Sequence, residues 1–365
     1  MALVPNPPRL YQLDESATVI ALALTESRSR EAATELIVEQ SGLSLAEVQL
    51  YVDQVEQVIW RSDGERSKAG GRILRWRAGA GFQERPIGIR RYRVLSQTFR
   101  CRFSDQMALT CVSEAFAHLE QPGAGPCTVT FDIGHRDGRI RIGSNREQLD
   151  EDVTPETLLN VLRLVLAEAS LAASEDEWAV HAAAVVHNNR AVLLPGVAGL
   201  GKSTLALGLA AAGATLLGDD TVVLARNTLD VRAMPFPLCV KRGSWILADA
   251  LLEAPGRSIA GQRLDGIAVR WFSRSAGIQF ADPGAPFAAE CLVFPSYGEG
   301  SATSLTRLDA DDVMRRLVPG LHALGAGLTA HKVDHLIAWV KSRPCYALRY
   351  SELEAGVSAV LKLIS

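Results

Sequence analysis

The sequence predicts a mixed α/β protein made of a small helical unit, an α+β segment and a larger α/β region, and three observations predict it. Residues 11–58 carry helical periodicity with capping signals at its breaks. Residues 90–145 alternate apolar and polar side chains in the manner of strands. From 179 onward apolar strand runs alternate with helical runs, and a glycine-rich turn joins one strand directly to the next helix.

Three short helices are expected over 11–58. Asp14 or Ser16 starts the first, Ser29 caps the second, and Ser44 with Glu47 forms a capping box for the third. Leu36, Ile37, Leu45, Val48, Val52 and Val55 supply the buried stripe. The break at Ser41-Gly42 makes a tight helix–turn–helix, a shape that serves DNA binding, peptide binding or plain packing. The third helix carries Glu47, Asp53 and Glu56 and no Lys or Arg, the wrong charge for a phosphate-lined groove, so no nucleic-acid partner is expected. Residues 1–60 are therefore expected to form one small helical domain.

Residues 61–85 are rich in Gly, Ser and Arg and are expected to be a basic linker. The basic character continues to Arg102 and reads as a solvated outer face in preference to a docking surface for an acidic partner. An α+β segment over 86–175 follows, with strands in RYRVLSQTFRCRF, CTVTFDI and RIRIG, a helix at about 106–120 and a long amphipathic helix over 155–173. The α/β region, 176–365, opens with strand 179–186, turns at His187-Asn188-Asn189 and returns as strand 190–195. Strands Thr215–Leu217 and Val222–Ala225, helix 331–341, strand 345–350 and a last helix started by a capping box at Ser351 and Glu354 complete it.

A chain of 365 residues suits two or three domains, and its net charge of −3 implies no bulk attraction to nucleic acid or anionic membrane. Six scattered cysteines without a CxxC argue against a disulfide framework or zinc site and for a reducing, cytoplasmic setting. MALVPNPPRLYQL lacks the design of a signal peptide. The apolar stretch 157–173 is interrupted by Arg163 and Glu168, and 203–217 by Gly208 and Gly213, so no membrane partner is expected. His331 and His335 share a helix face without a third ligand and read as surface histidines.

The chemistry lies in Gly196-Val197-Ala198-Gly199-Leu200-Gly201-Lys202-Ser203-Thr204, which matches the phosphate-loop pattern GxxxxGK[ST]. Glycines let the backbone approach phosphate oxygens and turn N–H groups toward them. Lys202, expected as an exposed loop charge, meets the β- and γ-phosphates, and the Ser203 hydroxyl is a Mg²⁺ ligand. The context is right: AVLLP leads in and the helix-forming TLALGLAAAG leads out. The pattern predicts ATP with Mg²⁺ as the bound nucleotide. Next come Asp219 and Asp220 at the end of an apolar strand, where adjacent carboxylates repel one another and resist burial. One could hold Mg²⁺ and the other accept the proton of an attacking hydroxyl. His181 stands alone in an apolar strand, a pattern shared by satisfied core histidines.

The stretch HAAAVVHNNRAVLLPGVAGLGKSTLALGLAAAGATLLGDD resembles the catalytic domain of HPr kinase/phosphorylase, and more closely the HPr-kinase-related proteins of bacteria. In that family a His, the loop Lys and a paired Asp follow one another as His181, Lys202 and Asp219-Asp220 do here. The resemblance implies a phosphate-loop kinase domain of the HPr kinase / phosphoenolpyruvate carboxykinase type that phosphorylates a Ser of a protein or peptide. It also implies Asp219 as base, Asp220 beside Mg²⁺, and His181 tuning the carboxylate. It is specific over 178–226. Thr204 stands where the bifunctional enzymes carry Glu, and their downstream signature is missing, so neither phospholysis nor HPr as substrate is carried over. MPFPLCVKRGSW, with Pro235, Pro237, Lys241 and Arg242, resembles the proline-then-Lys segment of the related group and makes Lys241 and Arg242 candidates for phosphate or acidic substrate. Residues 1–60 are similar, through LDESATVIALAL, to PqqD-like domains that hold peptides. A small-molecule hydroxyl kinase and a non-catalytic ATP-dependent binding module are the alternatives, and homo-oligomerisation is left open.

Overall fold

In a computed structural model of the chain, residues 2–5, 8–11, 29–41, 44–59, 74–78 and 85–365 are described, save 124, 137, 145–146, 197–198, 253 and 326. The first expected helix and most of the expected linker lie outside them. The chain divides into two units, 1–71 with 326–335 and 72–325 with 336–365.

In the first unit β1 (Ala2–Pro5) pairs antiparallel with β2 (Pro8–Tyr11), and α1 (Arg30–Ser41) and α2 (Leu45–Ile59) follow. Both cap signals operate. The Ser29 hydroxyl oxygen accepts from the Ala32 N–H at 3.1 Å, and Glu47 accepts from the Ser44 N–H at 3.0 Å and from its hydroxyl at 2.6 Å. The buried stripe differs from expectation. Ala33 and Ile37 on α1 and Val48 and Val52 on α2 are buried at i,i+4 spacing, while Leu36 and Leu45 are exposed. One step along a helix turns a side chain by about 100°, enough to carry Leu36 off the face that buries Ile37.

The second unit opens inside the stretch expected to be a linker. Within the expected linker, β3 (Trp76–Ala78) is a strand and Leu74 is buried in a core. Then come β4 (Gly88–Val94), β5 (Gln97–Phe103), α3 (Gln106–Ala115), β6 (Val129–Arg136), β7 (Arg139–Ser144), β8 (Glu147–Leu149) and α4 (Leu158–Ala172). The strands form one sheet in the order β3-β8-β7-β6-β5-β4. The run RYRVLSQTFRCRF folds as a hairpin, turning at Leu95 with φ +53°. Alternation does the rest: Tyr92, Val94, Phe99, Cys101, Phe103, Phe131 and Ile133 point to one face, where α4 lays Leu158, Leu162, Val165 and Leu166. The intervening arginines face outward and bond locally, as in Arg102 with Asp132 and Arg91 with the Pro126 carbonyl.

This core also contains Val223, Met234, Phe236, Val269 and Trp271. The segments 86–175 and 176–365, expected as separate domains, therefore share buried side chains. The remaining elements are β9 (Trp178–Val180), β10 (Ala182–His187), β11 (Arg190–Pro195), α5 (Lys202–Ala211), β12 (Thr215–Gly218), β13 (Val222–Leu224), β14 (Val231–Arg232), β15 (Leu238–Lys241), α6 (Trp245–Leu251), β16 (Ile259–Gln262), β17 (Ala268–Phe272), β18 (Pro286–Phe287), β19 (Ala289–Tyr297), β20 (Ser304–Arg307), α7 (Ala310–Leu317), β21 (Leu321–Ala323), α8 (Ala330–Lys341), β22 (Cys345–Tyr350) and α9 (Leu353–Leu361). They build sheets ordered β12-β10-β11-β19-β22-β20, β18-β14-β13-β9-β21 and β15-β17-β16. The architecture is mixed α/β: β11, β19 and β22 run parallel, and hairpin β10–β11 turns at Asn188 and Asn189, both at positive φ.

The last expected cap fails. Ser351 donates its hydroxyl to the Ser301 carbonyl at 2.8 Å, and α9 starts after Glu352 without a side-chain cap. Helix α9 packs on α5 where Gly208 allows close approach, since a Cβ there would lie 2.6 Å from Val357.

Candidate active site

Strand β11 delivers the chain into a turn whose glycines take conformations that L side chains rarely adopt: Gly196 at φ +149°, Gly199 at +94° and Gly201 at +92°. Val197 and Ala198 lie outside the described residues. Gly201 caps α5 with no side chain, which leaves the positive end of the helix facing the turn. The turn is braced from behind. Tyr350 donates its hydroxyl to the Gly201 carbonyl at 3.3 Å, Tyr297 donates its N–H to the Leu200 carbonyl at 3.3 Å, and the two rings meet edge to face. A Cβ on Gly201 would lie 2.7 Å from the Tyr350 hydroxyl. Gly201→Ala is therefore expected to destabilise the fold by about 1–3 kcal/mol in denaturant unfolding. Tyr350→Phe should restore part of that loss, by relieving contact without relieving φ. An alanine variant as stable as the parent would refute this account of the turn.

Lys202 is not the exposed charge the motif suggested. It is 6 % exposed, its ammonium donates to the Gly196 carbonyl, and it lies 3.3 Å from His181 Nε2. Burial holds its pKa below the usual lysine value, against the pull of Asp220 and Asp219. Beyond it, Thr204 shares a 2.8 Å hydroxyl–hydroxyl bond with Ser244.

His181 stands where the expected strand 179–186 breaks. Residues before it, in β9, pair with β13 and β21, and residues after it, in β10, pair with β11 and β12. The residue between two sheets has its N–H on the Gly320 carbonyl at 2.7 Å. Its Nδ1 is 2.9 Å from the Asp220 carbonyl oxygen and 3.4 Å from Asp220 Oδ1. An Nδ1–H donor there leaves the Nε2 lone pair toward the Lys202 ammonium, a neutral tautomer. Burial lowers the imidazole pKa and Lys202 adds to this, while Asp220 opposes it.

The two aspartates differ in exposure and in partners. Asp219, at the end of β12, is 7 % exposed, accepts the Cys239 N–H at Oδ2 over 2.9 Å, and keeps a buried Oδ1 without a hydrogen-bond partner. Burial pushes its pKa up to about 6, against the lowering effect of the Cys239 N–H and the Ser203 hydroxyl. Asp220 is more open, its side chain 39 % exposed, and its Oδ2 accepts from Arg163 Nη1 at 3.0 Å. Burial acts to raise it, but Arg163 and His181 outweigh that and hold the carboxyl below its usual value.

Arg163 was visible in the sequence only as an interruption of an apolar run. A cation beside the buried face of a helix is itself a signal, because burial requires a partner, but the partner lies 57 residues away. A small cavity of about 20 Å³ is lined by Arg163, Asp219, Asp220, Cys239 and Trp271 among others. Lys241 ends β15 close enough for its charge to lower the Lys202 pKa, and Arg263 acts likewise on Asp220, whereas Arg242 is exposed at the start of a short turn. The structure thus joins Gly196, Gly199, Gly201, Lys202, Ser203, His181, Asp219 and Asp220 in one place and adds Arg163, while nothing brings the exposed Arg242 to them.

No family model matches the chain, and no curated protein matches it. His331 and His335 have rings 6.1 Å apart, and among the described residues no group of three or more His, Cys, Asp or Glu is placed to hold a metal. No helix among them is long and apolar enough to cross a membrane.

Proposed function

We propose that this chain is an ATP- and Mg²⁺-dependent kinase of the HPr-kinase-related type, with a phosphate-loop catalytic region, that transfers the γ-phosphate to a Ser hydroxyl of a cytoplasmic protein or peptide. The observation that carries this reading is the convergence of Lys202, His181 and the Asp219–Asp220 pair, from separate elements, at the mouth of a turn with three glycines at positive φ. Binding alone needs no second carboxylate, so the pair favours transfer over a non-catalytic module.

The donor atoms fit a Mg²⁺ ion: the Ser203 hydroxyl adjoins Asp219, whose Oδ1 is buried and unpartnered. Ser203 and Asp219 would hold the ion, which when bound supplies charge neutralisation on the phosphates. Lys202 offers a fixed positive charge that needs no reorganisation at the moment of transfer. The more open Asp220 faces an acceptor hydroxyl and takes its proton, with His181 holding the Asp220 backbone and carboxylate. This division reverses the one the family resemblance implied, because the imidazole touches Asp220 and not Asp219. A carboxylate below its usual pKa is a weak base, which suits a loose transition state that asks little of it. Lys241 and Arg242 would meet an acidic part of the acceptor.

Incubation with γ-labelled ATP and Ser-containing peptides tests the proposal: label should appear as phosphoserine, and ATP bound without transfer to any acceptor or to water would leave only the binding module.

In the first unit an open groove of about 390 Å³ along α1 and α2 is lined by Glu31, Thr34, Glu35, Leu45 and Gln49 among others, a volume within the range of small-ligand sites. It supports the docking role that a PqqD-like unit would have. Deletion of residues 1–60 should leave ATP binding intact and raise the apparent KM for the acceptor, since binding common to ground and transition states is lost. A truncation with an unshifted melting temperature and an unchanged KM would end the docking role.

A further inference from the structure

We infer that Arg163 is a positioning residue for phosphoryl transfer, supplied by the α+β segment that precedes the catalytic region; the inference rests on the kinase reading above. Around Arg163, helix α4 buries Leu158, Leu159, Val161, Leu162, Val165 and Leu166. A guanidinium among such neighbours is tolerated only where it is paired. Its side chain is 13 % exposed, its Nη1 donates to Asp220 Oδ2 at 3.0 Å, and its cation sits 5.9 Å from the centroid of the Trp271 ring. Trp271 is 1 % exposed and fixed within β17, between β15 and β16. The planar fork is thus held between a rigid aromatic wall and the carboxylate.

The same arginine borders the other carboxylate. Arg163 Nε is buried without a hydrogen-bond partner, as is Asp219 Oδ1, and both residues line the cavity of about 20 Å³. A space that size, with the Arg163 guanidinium and the Asp219 carboxylate among its lining groups, suits a single bridging water. One side chain therefore sets the aim of Asp220 directly and connects to Asp219 across the cavity, keeping two adjacent carboxylates apart in fixed directions. Without it Asp220, 39 % exposed, is free to leave the orientation that His181 alone cannot enforce.

The test is a double-mutant cycle in the full chain with Arg163→Met, Arg163→Lys and Asp220→Asn, and with each Arg163 change combined with Asp220→Asn. MgATP affinity is read by calorimetry and turnover by release of labelled phosphate to water. Arg163→Met is expected to lower kcat about 10–10²-fold, the scale of a misplaced reacting group, with ATP affinity within about threefold of the parent. Arg163→Lys should recover part of the loss. In the Asp220→Asn background Arg163→Met should add less than about twofold, because both changes remove the same arrangement. A general structural role would instead multiply the two losses. Unchanged kcat in a folded Arg163→Met protein, or multiplied losses, overturns the inference. Should Arg163→Met fail to fold, Arg163→Lys decides: a partial loss that disappears beside Asp220→Asn supports the positioning role, and parental kcat overturns it. A parent chain without turnover ends the kinase reading and this inference together, and is told apart by the parent's own assay.

Discussion

Lys202→Ala is expected to weaken ATP binding by about 10–10²-fold, the value of a charge-assisted contact, and to slow transfer by about 10²–10³-fold more. The second loss is larger because a fixed charge counts most where charge develops, on the oxygens of the transferring group. The fold should not suffer. Lys202 is buried and its pKa is lowered first by burial, so the ammonium is a cost to the folded state rather than a support. Melting curves check both parts. At a concentration of 100 Kd, ATP should stabilise the parent by about 2.7 kcal/mol and the variant by far less, with the two unliganded proteins melting together or the variant higher. Equal shifts with ATP would remove Lys202 from the site.

Asp219→Asn and Asp220→Asn are expected to part company. Asp220→Asn should cost about 10²–10⁴-fold in transfer while ATP still binds, the range for losing a positioned proton acceptor. Asp219→Asn should raise the Mg²⁺ requirement and also stabilise the protein. The sign follows from its pKa, raised from 3.8 to about 6 in the folded state. The folded protein binds this proton more tightly than the unfolded chain, so the group favours folding fully below pH 3.8 and that advantage is lost as pH rises through about 6. Asparagine carries no such charge at any pH. The variant should therefore exceed the parent by up to about 3 kcal/mol at pH 8, and the difference should vanish near pH 4. Thermal unfolding at the two pH values decides it; a variant less stable at pH 8 would mean that Asp219 is not the buried, unfavourable charge described.

Much of this site was legible where the chemistry is local. A strand, a glycine turn and a helix lie within about two dozen residues, and the Ser44–Glu47 box needs only its own backbone. What tertiary contacts decide was not legible. The break at His181 is hidden because both strands around it are buried and apolar, so one continuous run reads as one strand. Ser351 has the right spacing for a cap, yet the Ser301 carbonyl claims its hydroxyl. Arg163 meets Asp220 only because β4, β5 and β6 seat α4 on a core that also takes in Trp271. For the same reason residues 86–175 look separable in sequence and are not separable in the core.

The central claim is that the turn at Gly196–Thr204 holds a nucleoside triphosphate. Calorimetric titration of ATP into the full chain, with and without Mg²⁺, tests it most directly. One site per chain, tighter with Mg²⁺ and weakened in the Lys202→Ala protein, is the predicted result. No saturable heat from ATP, or binding indifferent to Lys202, would contradict it.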